Sequence, residues 1–506
     1  MDQIVINSKF PKWKRASRPK VRTGCLTWVR HLKCDEEKPT CRRCRDGRVK
    51  CDGYVLPEKK KNIVQRSSRP VSEYPLISFN SNVADSSIEN CYFHHFHHWT
   101  SSQLTHSSTS SNLFLTYILP LAHTCEPIKH AIIAVGAAHR FYMAGPDTCS
   151  PLQQLKGLAM QQYNKAIAHI IPHMSLDSDF DLQCTLVCCL LFVAFESITG
   201  RYCESIRHIR AGTRLLSSPA LASNTKQRDA IEKLTEMFSS LGVEASIFME
   251  DTIIPDLRLG YYDSIYSVDT PGQPFRDLDE AAGELRKLDV ASVDIMHQMP
   301  SCSDTSSDGT ASYKNSPEYD KFNPLWKELD VKFQRWNSRF ELTKKHIATW
   351  EYQELLSPQL NYLTLQQKFW GMCVKWEPED ESGPPIETVK AFLDAAETLA
   401  QTLTTPGHPS FSLDGDLVSG LSFVLEMCPD KTLQSRAMNL LRRLNRREGV
   451  WDSREIVELH EATRALDDPE AFYKREIPGG IPAYAAELAR ISPGANLIRS
   501  RFLVAD

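Results

Sequence analysis

The sequence predicts a small cysteine-rich module followed by a large all-α domain. Residues 20–54 are basic and rich in cysteine with few apolar residues, whereas from about residue 91 apolar residues recur at the three- and four-residue spacing of amphipathic helices. Few alternating β-branched runs occur anywhere in the chain. The 506 residues are too many for one ordinary domain, and 42% hydrophobic and 24% charged residues are ordinary for a protein with a sizeable core.

The charges are distributed unevenly along the chain. Residues 1–61 contain 18 Lys/Arg against 7 Asp/Glu, whereas the remaining 445 residues contain 41 against 56. A basic head on an acidic body indicates that the head meets a polyanion. The alternative is a solvated basic tail, which the charges alone do not exclude.

No segment predicts a membrane span or a secretory signal. The most apolar run, 183–195, has 13 uncharged residues where a spanning helix needs about 20, so it predicts a buried core helix that contains Cys184, Cys188 and Cys189. The N-terminus lacks the apolar region of a secretory signal. The 15 cysteines are therefore expected to be reduced thiols or metal ligands.

The elements follow one another in a simple order. Residues 55–90 carry three prolines among many Ser and Asn, which predicts a linker. The linker has no heptad repeat, so no coiled coil is predicted there. The domains predicted are the basic module at 1–54 with its core at 20–54, this linker, and the helical domain at 91–506. A low-complexity run predicts a disordered insertion near 300–320. The predicted helices are 112–123, 127–143, 152–173, 179–197, 202–216, 226–249, 324–342, 344–355, 359–374, 386–403, 417–427, 432–443 and 454–466.

The strongest chemical signal is a group of cysteines in the basic module. Cys41 and Cys44 have the spacing of a zinc-ligand pair, and ten Arg/Lys lie between Lys20 and Lys50. The module has too few apolar residues to fold alone, so thiolate–metal bonds are expected to stabilise it. The candidate zinc ligands are Cys25, Cys34, Cys41, Cys44 and Cys51.

This segment resembles the DNA-binding domain of the fungal binuclear zinc cluster (Zn2Cys6) transcription factors. The pattern of that family is C-x2-C-x6-C, a variable loop, and a second C-x2-C-x6-C, and the second half matches fully at Cys41-x2-Cys44-x6-Cys51. The resemblance implies a zinc-dependent, sequence-specific regulator of RNA polymerase II genes. It also implies a nuclear location and two partners, double-stranded DNA and the transcription machinery.

The first half of the motif departs from the family at one position. Trp28 stands where the family has its second cysteine, and eight residues rather than nine separate Cys25 from Cys34. In the family the first and fourth cysteines, here Cys25 and Cys41, bridge two zinc ions, so one zinc keeps four ligands and the other only three. Tryptophan cannot replace the ligand because the indole N–H only donates. Three interpretations stay open: water or His31 completes the site, the protein holds a single zinc, or a misplaced exon junction has altered the sequence.

The resemblance also implies how the module reads DNA. A short helix before the third cysteine enters the major groove, where Arg30, His31 and Lys33 would contact a CGG triplet. The chemistry fits, since Arg binds the O6 and N7 atoms of guanine with two donors. The other basic residues are expected to contact phosphates, which position the protein without specifying sequence. They are Lys20, Arg22, Arg42, Arg43, Arg45, Arg48 and Lys50.

The body resembles the fungus-specific regulatory domain that follows such clusters. Residues 114–122, 130–140 and the segment 449–453 (GVWDS) carry this weaker likeness. It implies regulation, dimerisation or the sensing of a small-molecule effector, and monomer and homodimer both stay open. No G-x-S-x-G, G-x-G-x-x-G or Walker A motif occurs, so an enzyme is not expected. The alternative function is a nuclear helical interaction protein whose degenerate cluster no longer binds DNA specifically.

One further constellation lies at the start of the body. Cys91, His94, His95, His97 and His98 include ligand types for a transition metal, and His94 and His98 share a helix face. The alternative is the start of an amphipathic helix, with the two interleaved phenylalanines packed and the histidines exposed. The second interpretation is favoured.

Overall fold

The structure is a computed structural model, and it describes most of the helical domain. The described residues are 42–46, 86–104, 113–145, 150–175, 178–217, 228–253, 272–298, 317–349, 353–375, 383–403, 408–469, 472, 477–492 and 494–503. The chain divides into two compact units, Met1–Leu76 and Ile77–Asp506. In the first unit the description covers one short helix, α1 (Arg42–Asp46). Most of the predicted linker and of the predicted insertion near 300–320 lies outside the described residues.

The second unit is a large helical domain, as the sequence predicts. Its first part contains α2 (Ser87–His95), a π-helical turn (Phe96–Thr100), α3 (Ser101–Gln103), a second π-helical turn (Leu113–Ile118), α4 (Leu119–Leu121), α5 (Glu126–Ala144), α6 (Ser150–Ile170), a 3-10 turn (Ile171–Ser175), α7 (Asp179–Thr199), α8 (Tyr202–Leu216) and α9 (Arg228–Met249). Its second part contains α10 (Leu278–Gln298), α11 (Pro317–Ile347), α12 (Gln353–Cys373), α13 (Ile386–Leu403), α14 (Leu417–Met427), α15 (Lys431–Leu444), α16 (Ser453–Arg464), α17 (Gly480–Ile491) and α18 (Asn496–Phe502).

Helix α7 is the central core helix that the apolar run predicts. It packs against α5 and α8, and Cys184, Cys188 and Cys189 are buried. Gly200 ends it in the left-handed region, at a φ of 81°, where glycine carries no steric penalty. Among the described residues, one helical stretch, Phe180–Thr199, has the length and apolar composition to cross a membrane, and 94% of its most apolar window is buried inside the protein. The core-helix prediction is confirmed, and the helix is longer than the run that predicts it.

Two pairs of helices in this core approach each other at glycines. A Cβ atom at Gly136 of α5 would overlap the carbonyl oxygen of Tyr92 in α2. A Cβ atom at Gly212 of α8 would overlap the ring of Phe238 in α9. The absence of a side chain at these two positions therefore sets the distance between the helices.

A second apolar cluster lies between α10, α11 and α12. Its buried members include Leu285, Phe333, Trp336, Phe340 and Trp370. The indole N–H of Trp336 donates to the carbonyl oxygen of Ala281 at 2.8 Å, and that of Trp370 donates to Oδ1 of Asp289 at 2.7 Å. Both large rings are thus buried without leaving a donor unpaired.

A small three-stranded sheet lies between the later helices, in addition to the predicted helices. Strand β1 (Ser410–Ser412) pairs in parallel with β2 (Arg446–Glu448), and β2 pairs antiparallel with β3 (Trp451–Asp452). Phe411 lies opposite Arg447 in the first pair. Gly449, at a φ of 52°, and Val450 make the turn between β2 and β3. The segment GVWDS is therefore a tight turn followed by a strand and the start of α16.

Several helix predictions are wrong in existence or in bounds. Helices α10, α17 and α18 were not predicted, although the acidic first turn and regular apolar spacing of α10 favour a helix. The predicted helix at 344–355 does not exist as one element, because α11 continues to Ile347 and α12 begins at Gln353. Helix α11 also begins at Pro317 rather than Pro324, so part of the low-complexity run is helical. Pro324 lies inside the helix, where it removes one backbone hydrogen bond without ending the helix.

Candidate functional site

In the basic module the structure describes one part of the predicted metal and DNA site. Helix α1 carries Cys44, which is fully buried, and Arg42 and Arg45, which are exposed. Arg43 belongs to the same helix. The spacing of a C-x2-C pair thus starts a helix that turns its thiol inward and two guanidinium groups outward. The other predicted ligands and DNA contacts lie outside the described residues: Cys25, Cys34, Cys41, Cys51, Lys20, Arg22, Arg30, His31, Lys33, Arg48 and Lys50.

The histidine-rich run folds as a packed helix start. Phe93 and Phe96 are buried, and the rings of His94 and His98 stack with centroids 6.2 Å apart. The pKa of His95 is lowered to about 4 because its ring is buried and Arg140 lies nearby. No group of three or more His, Cys, Asp or Glu side chains in the described part of the chain is arranged to hold a metal ion. The prediction of packed phenylalanines is confirmed, whereas the prediction of exposed histidines holds for His98 and is wrong for His94, His95 and His97, which are half-buried.

The most elaborate polar site among the described residues is one that the sequence did not predict. We call it the C-terminal clamp, and it consists of Arg447, Asp452, Arg454, Glu455 and Arg501. Arg447 donates through Nε and Nη2 to Oδ2 of Asp452 at 2.9 and 2.7 Å. Arg454 contacts the same oxygen at 2.9 Å, and Arg501 pairs with Glu455. Asp452 is 1% exposed, so its charge is neutralised inside the protein.

The clamp joins distant parts of the chain. Nη1 of Arg447 donates to the carbonyl oxygens of Ser197 and Ile198 at 3.2 and 2.9 Å. These carbonyls belong to the last turn of α7, where a cation also meets the negative end of the helix dipole. Nη2 of Arg501 donates to the carbonyl oxygen of Val450 at 2.8 Å. The segment 446–454 is therefore attached on one side to α7 and on the other to α18.

A second group of charged residues, the inner ion cluster, lies next to the sheet; Asp289 and Asp416 are half-buried and the other four members are buried. Its members are Glu244, Arg286, Asp289, Asp416, Arg446 and Glu448. Nε of Arg446 donates to Oε1 of Glu448 at 2.6 Å, and Oε2 of Glu448 accepts the N–H groups of Leu417 and Val418 at 3.0 and 2.9 Å. Glu448 thus binds the N-terminus of α14, where the helix dipole favours an anion.

Among the other carboxyl groups of the inner ion cluster, that of Asp289 pairs with Arg286 at 3.1 Å, whereas that of Asp416 accepts hydrogen bonds from uncharged donors. Oδ2 of Asp416 accepts from Oη of Tyr362 at 2.8 Å and from Nε2 of Gln366 at 2.5 Å. Carboxyl groups outnumber guanidinium groups four to two, so full ionisation would leave excess negative charge inside the protein. Burial and the neighbouring Asp416 raise the pKa of Glu244 well above its usual range, and burial raises that of Asp289 to about 6 in spite of Arg286. Protonation of carboxyl groups therefore relieves the excess.

The clamp and the inner ion cluster each connect elements that are far apart in the sequence. The cavity beside the clamp has a volume of about 10 Å³ and is lined mainly by apolar side chains such as Phe248, Leu459 and Ile498. This volume is below the ~300–1,000 Å³ of ordinary ligand sites. The sequence could have indicated the clamp through the GVWDS segment and the Arg446-Arg447-Glu448 run before it, since charged residues beside a buried Trp need partners.

Comparison with known proteins relates the helical domain to a family. Residues 91–324 match the model of the fungal specific transcription factor domain. The chain is 22% identical to the aspercryptin biosynthesis cluster-specific transcription regulator atnN of Emericella nidulans, over 85% of each chain. It is 25% identical to the transcription regulator lscL of Purpureocillium lilacinum over 37% of this chain and 47% of that one.

A third relative carries zinc in its name. The chain is 27% identical to the Zn(2)-C6 fungal-type transcription factor afumD of Aspergillus fumigatus, over 42% of this chain and 56% of the relative. The chain thus spans about half the length of lscL and afumD and most of atnN. No solved structure matches it. Residues 91–324 are thus similar to the fungal specific transcription factor domain, and the relatives of the chain are named as transcription regulators.

Proposed function

We propose that this protein is a zinc-dependent, sequence-specific DNA-binding regulator of RNA polymerase II genes that acts in the nucleus. The observation that carries the proposal is the pairing of a Cys41-x2-Cys44-x6-Cys51 pattern with a fungal specific transcription factor domain in one chain. The name of the relative afumD supports zinc. In α1, a buried Cys44 between exposed Arg42 and Arg45 fits a thiolate that binds metal inside while guanidinium groups face a polyanion outside.

Zinc content and DNA binding of the full chain test the proposal. The purified protein should contain zinc and should bind a duplex with a CGG triplet more tightly than a scrambled duplex at the same salt concentration. Because phosphate contacts release counterions, the affinity should fall as salt rises, and the preference for CGG should persist. Equal binding of the two duplexes at every salt concentration would refute base readout.

Two arginine variants separate base contacts from phosphate contacts. Arg30→Ala should weaken binding to the CGG duplex by ~1–3 kcal/mol and relax the preference for it. Arg45→Ala, an exposed arginine on α1, should weaken binding to both duplexes by a similar factor and reduce the slope of affinity against salt. If Arg30→Ala lowers both affinities equally, the assignment of Arg30 to a base contact is wrong.

The Trp28 position decides how complete the cluster is. Two zinc ions per chain would mean that water or His31 replaces the missing thiolate, and one would mean a single four-ligand site. The variant Trp28→Cys restores the family's residue type and should raise the zinc content if the second site is otherwise intact. An insertion of one residue between 25 and 34 provides the matched control for the shortened spacing.

The second candidate function is a nuclear interaction protein that has lost specific DNA binding. It is favoured by one observation, namely that Trp28 stands where the family has a ligand. This candidate predicts at most one zinc and only salt-sensitive, nonspecific DNA binding. The helical domain would then act through protein partners. We also propose that this domain forms a homodimer or binds a small-molecule effector. No catalytic activity is proposed for either candidate.

A further inference from the structure

Three cysteines meet in the core of the helical domain. Sγ of Cys125 lies 2.6 Å from Sγ of Cys184, and the thiol of Cys188 lies one helical turn further along α7 beside Cys184. All three side chains are at most 3% exposed. Two uncharged sulfur atoms in ordinary van der Waals contact are much further apart than this, and a disulfide bond is ~2.05 Å long. The sulfur atoms of Cys125 and Cys184 therefore already lie close to bonding range.

The position of Cys125 favours a bond to α7 over other pairings. Cys125 is the N-cap of α5, and its sulfur faces Cys184 of α7. The two cysteines are 59 residues apart in the chain, and the segment between them contains all of α5 and α6. A bond between them would close a long loop and restrict the unfolded chain strongly.

We propose that Cys125 and Cys184 form a reversible intramolecular disulfide when the protein meets a peroxide. In the first step the sulfur of one cysteine attacks a peroxide oxygen, the O–O bond breaks, and water leaves with the thiol proton, which produces a sulfenic acid. In the second step the other sulfur attacks it, the S–O bond breaks, and a second water leaves. Both sulfurs are oxidised by one electron each, and the peroxide is reduced by two.

The surroundings of the pair make this a slow modification rather than a rapid sensor. The hydrogen bond with Cys184 and burial raise the pKa of Cys125. The contact with Cys125 lowers the pKa of Cys184, but Cys188 and burial raise it by more, so little thiolate of either cysteine is present at neutral pH. Since the thiolate is the nucleophile, oxidation requires local opening and should take minutes to hours. The inference does not depend on the proposed function, because both cysteines lie in the helical domain and not in the basic module.

Peptide mapping of the full chain tests the inference directly. The protein is treated with hydrogen peroxide, its free thiols are blocked, and a chymotryptic digest separates Cys91 from Cys125 and Cys184 from Cys188. We expect a linked pair of peptides that contain Cys125 and Cys184, and dithiothreitol should abolish it. Cys428 is an internal control, since it is equally buried but its sulfur contacts the carbonyl oxygen of Asp430 at 4.0 Å. Cys428 should stay a thiol.

Thermal unfolding provides the second measurement. Oxidised wild type should unfold at a temperature higher by roughly 5 °C than the reduced protein, since a long loop has been closed. Cys125→Ser and Cys184→Ser should lose this difference, whereas Cys188→Ser should keep it. The inference fails if Cys125 and Cys184 remain thiols after many hours at a peroxide concentration that oxidises exposed Cys91, or if Cys184 pairs with Cys188 instead. Peptide mapping of the wild type shows whether the disulfide bond forms even if a variant does not fold.

Discussion

Replacing Arg447 by Leu should remove about 4 kcal/mol from the free energy of unfolding of the helical domain. The change deletes two hydrogen bonds to Asp452, which is 1% exposed and keeps Arg454 as its remaining cation. It also leaves the carbonyl oxygens of Ser197 and Ile198 without this donor. Breaking a buried ion pair costs about 3–5 kcal/mol and an unsatisfied buried acceptor about 1–3, and the two losses overlap because one side chain makes both.

Urea unfolding followed by circular dichroism measures the loss, with Arg442→Leu as the matched control. Arg442 pairs with Glu461 at 2.5 Å, but both side chains are about half exposed, at 50% and 49%. An exposed pair contributes at most about 1 kcal/mol, so the control should unfold close to wild type. If the two variants unfold at the same urea concentration with the same slope, the clamp does not stabilise the domain and the reasoning is refuted.

The remaining predictions concern packing, pH and metal. Gly136→Ala should destabilise the domain in thermal unfolding, because its Cβ would overlap the carbonyl oxygen of Tyr92. Gly157 lies in the middle of α6 with open space around it, so Gly157→Ala should stabilise the domain by about 0.5–1 kcal/mol in the same assay. Burial lowers the pKa of His139 to about 3, so the free energy of unfolding of the wild type should fall as pH drops from 6.5 towards 4. Urea unfolding at a series of pH values should show a smaller fall with pH for His139→Gln. A chelator should abolish specific DNA binding and leave the helical circular dichroism signal almost unchanged. Loss of that signal would mean that the helical domain also depends on the metal, which contradicts this prediction.

The sign of the His139 prediction follows from the direction of its pKa shift. The unfolded histidine binds a proton near pH 6.5, whereas the folded one stays neutral until about pH 3. Protons therefore favour the unfolded chain throughout this window, and stability is complete only above it. The ring is fully buried and lies 3.0 Å from Oγ1 of Thr100 and 3.2 Å from Oε1 of Gln103, so its neutral form keeps both partners.

Local periodicity was sufficient to predict most of the helices but not the small sheet. The predictions at 202–216, 386–403 and 417–427 coincide with α8, α13 and α14, because each buries one regular apolar stripe or is apolar throughout. Strands of two or three residues are too short to show a two-residue alternation, so β1, β2 and β3 carried no such signal. The second apolar cluster depends on α10, which lies between two irregular segments and is not among the predicted helices.

The buried ion groups could not be predicted because their partners are far apart in sequence. Arginine is expected at the surface, yet Arg446 is 1% exposed. Arg447 and the carbonyl oxygen of Ser197 are separated by 250 residues, and no sequence pattern in either segment indicates that the two are in contact. For the proposed metal and DNA site, cysteine spacing, charge and the family resemblance predicted the residues, and of these the structure describes Arg42, Arg43, Cys44 and Arg45.

The physical domain is larger than the stretch matched to the family. The match ends at residue 324, but the ring of Trp451 packs edge-on against Phe248 of α9 at 5.1 Å. A Cβ at Gly480 would overlap the carbonyl oxygen of Phe248, so α17 begins directly on the end of α9. Phe93, near the start of the domain, and Ile498, near its end, belong to one apolar cluster. Because Arg447 also covers the last turn of α7, displacing the later helices would uncover the earlier ones, and the two parts must fold as one unit.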